Sequence, residues 1–562
     1  MSEPAAEPLL PVGYYADNFA LVLDTVADRY SDILSDEEKS FIETWRSQPL
    51  PARRLYVRMI SRKGPVLRRD RLKYGEIPNI QLVLDDLVEA DLADNAPDVE
   101  AAELLPLLMR GELHDLAAGF HDEGIIQSFP PKPARKDELV AISADVEESV
   151  LREGIEYFLN PIRPLGLDHV LVFRLLFFGN LYQDLTEFVL RDIGMVSFEP
   201  YPLDRELRLF PNREDLDQNL ALRLYRQEIG TLLLDKELDA AVELAKEVLQ
   251  QEWLNSVQRH LDRVANAVGR DLERAGRDDE ALTFYETATR PPARERRARV
   301  LERTNRNEEA LSLCYEIEDG PQDETEAAFA PRFVHKLHRK LGEKVAAPKR
   351  PTRPTKTLTV YPREDVAIET LALEELAADG QEGFFAENWL WKSLFGLAFW
   401  DIVFAPLPGV FQHPFQYGPL DLSTPGFRPV RQTMIEERLT ELRQKPWSTT
   451  TKALLARWDE KYGTANALVA WGEELRPRVA LALSVLDGQR LAAVCDRLSR
   501  DLRRYRRGLP DLFVLREEAP GFELLEVKGP GDQLRPEQGA WIDELNAHGL
   551  PTAILKVSYA SS

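Results

Sequence analysis

Along most of this chain the apolar residues recur at helical spacing, and only near the C-terminus does the period shorten to that of strands. Pro51 stands at a favourable first helical position, and Leu55, Met59 and Ile60 follow as an apolar face. Arg54, Arg58 and Arg62 fall on another side. A turn at Lys63-Gly64-Pro65 and a basic run through Arg68, Arg69 and Arg71 lead into a second helix. That helix is predicted from Ile80 to Ala90, with Leu82, Leu84 and Leu87 as its apolar positions. Helix, basic turn and helix suit a SAP-like or winged-helix DNA-binding unit. Within 148–200 the apolar pattern becomes almost continuous. Val170–Phe178 and, after Gly179, Leu181–Val189 read as buried helices that carry no chemistry.

Between 217 and 320 the pattern repeats itself. Gly276-Arg277-Asp278-Asp279-Glu280-Ala281-Leu282 returns 29 residues later as Asn305-Arg306-Asn307-Glu308-Glu309-Ala310-Leu311. Tyr285 and Tyr315 follow at similar offsets, and Lys236–Ala241 is a more diverged copy. Paired helices that stack to bury a shared core mark tetratricopeptide-type solenoids. Their concave surface offers a place for a protein partner, and a spacer that sets domain geometry is the plainer reading. Residues 346–356 hold three prolines and no large apolar residue, the composition of an extended linker.

The strand-like pattern lies in Gly508–Leu515 and Phe522–Gly529, joined by a polar turn from Arg516 to Gly521. A helix bearing Gln538 and Trp541 and a last strand, Thr552–Val557, follow. On an antiparallel hairpin Asp511 lies opposite Glu526 and Lys528, which are two apart and share a face. Two carboxylates and an ammonium therefore meet at one sheet edge. A hard divalent cation such as Mg²⁺ takes oxygen ligands, which Asp511 and Glu526 supply and to which the Val527 carbonyl can add a third. Such an ion acidifies bound water and neutralises charge on a phosphoryl transition state, and Lys528 would orient the water or steady that charge. A hairpin with an exposed ion pair is the bland alternative. The apolar strand before Lys528 and the Gly529-Pro530-Gly531 turn after it favour a metal-dependent phosphodiesterase.

Composition changes this picture in one respect. The 562 residues suffice for about three to five domains, and 44% hydrophobic with 30% charged residues excludes a wholly disordered chain. A net charge of −24 argues against a polyanionic partner. Yet Arg53–Lys73 carries +8, Arg332–Lys356 carries +8 and Asp487–Arg507 carries +4, which leaves −44 for the rest. Local polyanion sites on an acidic body show this segregation. The two cysteines, Cys314 and Cys495, exclude a disulfide framework and a cysteine-based zinc cluster. Of eight scattered histidines only His335 and His338 are close, on what reads as a solvated face. The longest apolar run, Leu394–Phe404, contains Asp401 and is too short to span a bilayer, so no membrane contact is expected. The N-terminus lacks the basic and apolar regions of a signal peptide.

Arg500–Leu512, Leu525–Asp532 and Gln538…Trp541 closely resemble the VRR-NUC domain of the PD-(D/E)xK nuclease superfamily, and most of all the Fanconi-associated nucleases. Leu394–Phe404 is similar to the first helical part of that family's catalytic domain, and Leu55–Lys63 with Leu72-Lys73-Tyr74 to its SAP-type region. The resemblance implies a multidomain, mostly α-helical protein with a C-terminal α/β restriction-endonuclease-like core. The parts expected are an N-terminal helical segment (1–50), the DNA-binding region (51–120), a helical connector (121–215), repeats (216–345), a Pro-rich basic linker (346–363) and the nuclease domain (364–562, motif core 505–560). It implies a Mg²⁺- or Mn²⁺-dependent DNase of phosphodiesterase I type that cuts 5′ flaps and branched DNA, degrades 5′→3′, and serves interstrand crosslink repair. Asp511, Glu526 and Lys528 carry over as catalytic residues, with Glu387 as the upstream glutamate and Glu382 as its alternative. Gln538 carries over in support. Glu387, Asp511, Glu526 and Val527 would hold the metal. Arg503, Arg504, Arg506 and Arg507 would hold phosphates beside the cut, and Arg53, Arg54, Arg58, Arg62, Lys63, Arg68, Arg69 and Lys73 would grip duplex farther away. With no N-terminal cysteine for the animal proteins' ubiquitin-binding zinc finger, a bacterial-type member is expected, cytoplasmic and nucleoid-associated if bacterial, nuclear if eukaryotic. Small stand-alone VRR-NUC proteins are dimeric junction resolvases. Here the helical residues between Glu387 and Asp511 are expected to block that dimer and favour a monomer. A junction-resolving nuclease and a non-catalytic DNA- and protein-binding scaffold are the competing readings.

Overall fold

The computed structural model describes residues 11–95, 97–127, 134–183, 196–346 and 352–560. The chain forms two compact units, 1–195 and 196–562. In the first, the two predicted helices are Leu50–Ile60 and Ile80–Glu89. Leu55, Tyr56, Val57 and Met59 are fully buried. On the second helix the inward face is Val83, Leu84 and Leu87, while Leu82 points to solvent, because 82 and 84 lie about 200° apart on a helix. Strand Leu67–Arg68 pairs antiparallel with Pro161–Pro164, which pairs on its other side with Ala93–Asp94. The small sheet beside the helices is thus completed by residues far beyond 120. Leu167–Phe178 is the expected buried helix, set between left-handed Gly166 and Gly179. Most of the expected helix Leu181–Val189 lies outside the described residues.

The second unit opens with the repeat helices α1 (Arg213–Leu234), α2 (Leu238–Gln250), α3 (Gln258–Arg274), α4 (Asp278–Thr287), α5 (Ala293–Arg303), α6 (Asn307–Asp319) and α7 (Glu324–Lys340). The three turns read as one repeat share a left-handed residue: Lys236, Gly276 and Asn305 have φ of 67°, 75° and 63°. Arg277 pairs with Glu280 as Arg306 does with Glu309. In this register the counterpart of buried Tyr285 is Cys314, also buried, and Tyr315 is exposed. Cys314 therefore packs as a small apolar residue.

The nuclease core is a five-stranded sheet of β1 (Thr355–Val360), β2 (Gly383–Phe385), β3 (Leu512–Leu515), β4 (Phe522–Lys528) and β5 (Thr552–Tyr559), in the order β1-β5-β4-β3-β2. β5 runs parallel to β1 and β4; β3 runs antiparallel to β4 and β2. The expected linker to 363 is thus shorter. Thr355-Lys-Thr-Leu-Thr-Val is β-branched and alternating, and it pairs along its whole length with β5. Helix α8 (Ile368–Ala378) covers one face, against Leu512, Val514, Leu525 and Val527. The other face, with Phe513, Phe522 and Leu524, packs on α9 (Leu390–Ala398), α10 (Gln432–Gln444), α11 (Trp447–Lys461), α12 (Leu475–Val485), α13 (Gly488–Arg500) and α15 (Pro536–Ala547). The short α14 (Leu502–Tyr505) leads into β3. Buried Arg497 joins repeats to core: it pairs with Glu324 of α7 at 2.9 Å and Glu544 of α15 at 3.3 Å, and lies over the Trp541 ring. Among the described residues no helix is long and apolar enough to cross a membrane.

Candidate active site

The hairpin delivers the three expected groups to one point. Leu512 pairs with Leu525, so Asp511 enters β3 opposite Glu526. One Asp511 oxygen, Oδ2, accepts the Val527 amide at 2.7 Å, and Lys528 Nζ donates to Glu526 Oε1 at 2.7 Å. Asp511 is 9% exposed and Glu526 1%, and the second Glu526 oxygen, Oε2, is buried without a partner. Burial lifts both carboxyls above the usual range. The Val527 amide offsets part of this at Asp511; at Glu526 the Asp511 charge adds to it, and Lys528 opposes it. Two buried acids held above their usual range, one with an orphaned oxygen, are what a cation would relieve.

Glu387 arrives from a distant part of the chain. β2 pairs with β3, and beyond that pairing the amides of Ala386 and Glu387 both reach the Asp511 carbonyl, at 2.8 and 3.3 Å. The Glu387 carboxylate is exposed, and its charge acts on both Asp511 and Glu526. Glu382 sits at the other end of β2, where its carbonyl accepts the Leu515 amide, so the alternative glutamate lies at the opposite end of the β2–β3 pair from Asp511. A fourth carboxylate, Glu369 in the first turn of α8, adds its charge to Asp511. The sequence reading missed it. Among the described residues no three metal-binding side chains are drawn into a finished cage.

Gln538 stands on the first turn of α15, and its Oε1 accepts the Arg535 amide at 3.0 Å as a helix cap. Gly508 has φ of 80°, and a Cβ there would lie 2.9 Å from the Gln538 nitrogen. The loop before Asp511 can therefore press against α15 only with glycine at this position.

The predicted cations divide into two groups. Arg68 is 9% exposed and bridges Asp70 and Glu112, Arg58 pairs with Glu76 at 2.7 Å, and Arg69 pairs with Asp85 at 2.6 Å. These three are spent on internal pairs, and Arg68 is a structural residue rather than a phosphate contact. Arg54 donates to the Val12 carbonyl, Arg62 to Tyr74, and Arg53 lies over Trp45. Lys63 and Lys73 are exposed. Beside the core, Arg504 pairs with Asp323 at 3.0 Å, while Arg503, Arg506 and Arg507 are exposed. His338 is engaged by Tyr315 and Glu343 rather than solvated.

A second basic surface had no sequence signal. Arg223 and Arg226 of α1 and Arg259, His260 and Arg263 of α3 crowd together, with Arg503 in the same field. Burial and then the neighbouring arginines hold Arg263 down to about 10 and His260 down to about 3. Arg259 and Arg263 line a cavity of about 760 Å³ shared with Arg503 and Arg504. Asp262, Asp323 and Asp501 line the same cavity, so the half-buried cations share it with acids.

An αβββαβ core with this acidic-plus-lysine edge defines a metal-dependent nuclease of the PD-(D/E)xK class. The family models agree: a VRR-NUC domain matches residues 447–559, which hold Asp511, Glu526, Lys528 and Gln538, and a FAN1 HTH domain matches 13–94. The chain is 32% identical to the Fanconi-associated nuclease 1 homolog of Pseudomonas aeruginosa, over 99% of this chain and 98% of that protein. It is 25% identical to human Fanconi-associated nuclease 1, over 97% of this chain and 62% of that protein. The crystal structure of paFAN1 bound to 2-nt 5′-flap DNA with a gap superposes with a TM-score of 0.85 at 31% identity, covering all of both chains. The chain belongs to the Fanconi-associated nuclease family. It is a structure-specific DNA nuclease of DNA repair, and its VRR-NUC domain depends on divalent metal.

Proposed function

We propose that this protein cuts 5′ flaps and branched DNA endonucleolytically and then degrades 5′→3′, with Mg²⁺ or Mn²⁺, in the repair of interstrand crosslinks. The observation that carries this reading is the buried pair Asp511 and Glu526, locked to Lys528 and lacking a partner for one oxygen. Glu387, Asp511 and Glu526, with the Val527 carbonyl, are the groups that would hold the cation; when bound it acidifies water and neutralises charge on the phosphoryl oxygens. Lys528, fixed by its 2.7 Å bond to Glu526, orients the attacking water and steadies the charge that develops. Asp511 is held in place by the Val527 amide, which engages one of its two oxygens and leaves the other for the cation. The similar protein paFAN1 has been crystallised bound to 5′-flap DNA, which supports the substrate class. The arginines of α1 and α3 and the free cations Arg503, Arg506 and Arg507 suit backbone phosphates on either side of the cut. α10 to α13, between Glu387 and Asp511, suit a monomer, and the concave surface of the repeats would offer a place for a protein partner.

The test is cleavage of a labelled 5′-flap duplex by wild type, Asp511→Ala and Lys528→Ala with Mg²⁺ or Mn²⁺. Each substitution should remove cleavage while flap binding persists. Full activity in either variant would overturn the assignment, and a wild-type protein inert on flaps, gaps and single strands would favour the scaffold reading.

A further inference from the structure

We propose that Lys392 and Arg506 together hold a phosphate of the cut strand next to the one at Asp511 and Glu526, so that Lys392 is a substrate-positioning residue of the nuclease. This rests on the nuclease reading above and adds a contact to it. Lys392 lies in the first turn of α9, the helix that begins directly after Ala386 and Glu387 are pinned to the Asp511 carbonyl. Its place relative to the site is therefore set by the same backbone bonds that place Glu387. On the other side, α14 ends on Arg506, and the Tyr505 carbonyl accepts Trp541 Nε1 at 3.0 Å. Both cations thus hang from fixed backbone on the two approaches to Asp511.

Lys392 is half-buried between the buried Trp391 and Ser393. Among the described residues neither the Lys392 nor the Arg506 side chain has a hydrogen bond or an ion pair. Burial, with the Arg506 charge added, draws the Lys392 ammonium below the usual lysine range, and Glu387 opposes that. Glu387 is the acid whose charge reaches Lys392, and a metal at the site would take up that charge. Two cations within reach of each other's charge, one of them partly desolvated, then stand on backbone tied to Asp511 and Trp541 with no side-chain partner among the described residues. The anion that the known reaction brings there is the DNA backbone, and a phosphate one step along from the scissile one answers both charges.

The experiment is single-turnover cleavage of a 5′-flap duplex in Mn²⁺ by wild type, Lys392→Ala, Lys392→Gln and Lys392→Arg. The substrates carry a neutral methylphosphonate at one phosphate at a time around the cut. Wild type should be slowed about 10–100-fold by the methylphosphonate at one flanking phosphate. Lys392→Ala and Lys392→Gln should show a similar loss on the all-phosphate flap, no further loss at that one methylphosphonate, and an unchanged Mn²⁺ midpoint. Lys392→Arg should recover most of the rate. Wild-type rates in Lys392→Ala and Lys392→Gln would overturn the contact, as would losses that persist undiminished at every methylphosphonate. Either result alongside an active wild type leaves the nuclease reading standing. An inert wild type would overturn both.

Discussion

Removing a catalytic carboxylate should make the metal-free protein more stable. Glu526 is 1% exposed, and burial, then Asp511, push its carboxyl up from 4.5 to about 8 despite the bond from Lys528. A carboxyl whose folded pKa exceeds its unfolded one binds its proton more tightly in the folded chain. Its penalty is therefore absent below about pH 4.5, grows as the pH rises, and is complete above the folded pKa near 8. A shift of roughly three and a half units corresponds to on the order of 5 kcal/mol, at about 1.4 kcal/mol per unit. Part of that is shared with Asp511, so Glu526→Gln should recover about 2–3 kcal/mol at pH 8.5. Glutamine keeps an amide oxygen for Lys528 and nearly the same volume, which isolates the charge. The assay is thermal and urea unfolding in chelator at pH 5 and pH 8.5, comparing midpoints at equal slope. The variant should melt several degrees higher at pH 8.5 and show a smaller gain at pH 5. Saturating Mn²⁺ should reverse the order, because the wild type gains binding energy that the variant lacks. A variant no more stable than wild type at pH 8.5 without metal, or one with an equal gain at both pH values, would refute the reasoning.

Three further outcomes are expected. Gly508→Val should cost several-fold or more in cleavage rate with DNA affinity retained, because a side chain there meets the α15 backbone at 2.9 Å and displaces the loop before Asp511; stopped-time cleavage and binding isotherms check it. Arg259→Ala with Arg263→Ala should weaken flap binding, lower the slope of log affinity against log salt by about 1–2, and leave Mn²⁺ binding unchanged. Arg68→Ala should destabilise the N-terminal unit by about 1–3 kcal/mol by leaving the largely buried Glu112 without its cation, and limited proteolysis of the full chain should show earlier cutting within 13–180.

The catalytic hairpin was legible because its chemistry is local. Asp511, Glu526 and Lys528 lie within one strand–turn–strand, and the alternation of a strand places them on one face. Glu387 needed the family resemblance, since only the pairing of β2 with β3 brings it to Asp511 and a three-residue strand leaves little pattern to read. Glu369 left no signal, because its relation to Asp511 depends on where α8 lies on the sheet. β1 was hidden by the prolines just before it, although its Thr-rich alternation is a strand signature. Arg68 was misjudged for the opposite reason: a run of cations looks free until a partner 44 residues away, Glu112, is folded onto it. The α1 and α3 arginines were invisible since they sit among acids in sequence and gather only when the helices pack. The net charge of −24 therefore understates the basic surface in both units.

The most direct test of the central claim is a cut-site map at single-nucleotide resolution on one end-labelled 5′-flap duplex, with and without a 5′ phosphate, in Mg²⁺ or Mn²⁺. Wild type should cut at defined phosphodiester bonds near the branch and then at shorter 5′→3′ intervals, with unbranched duplex spared and Asp511→Ala silent. Cleavage scattered evenly along flap and duplex alike, or the same cuts from Asp511→Ala, would contradict a structure-specific nuclease working through this site.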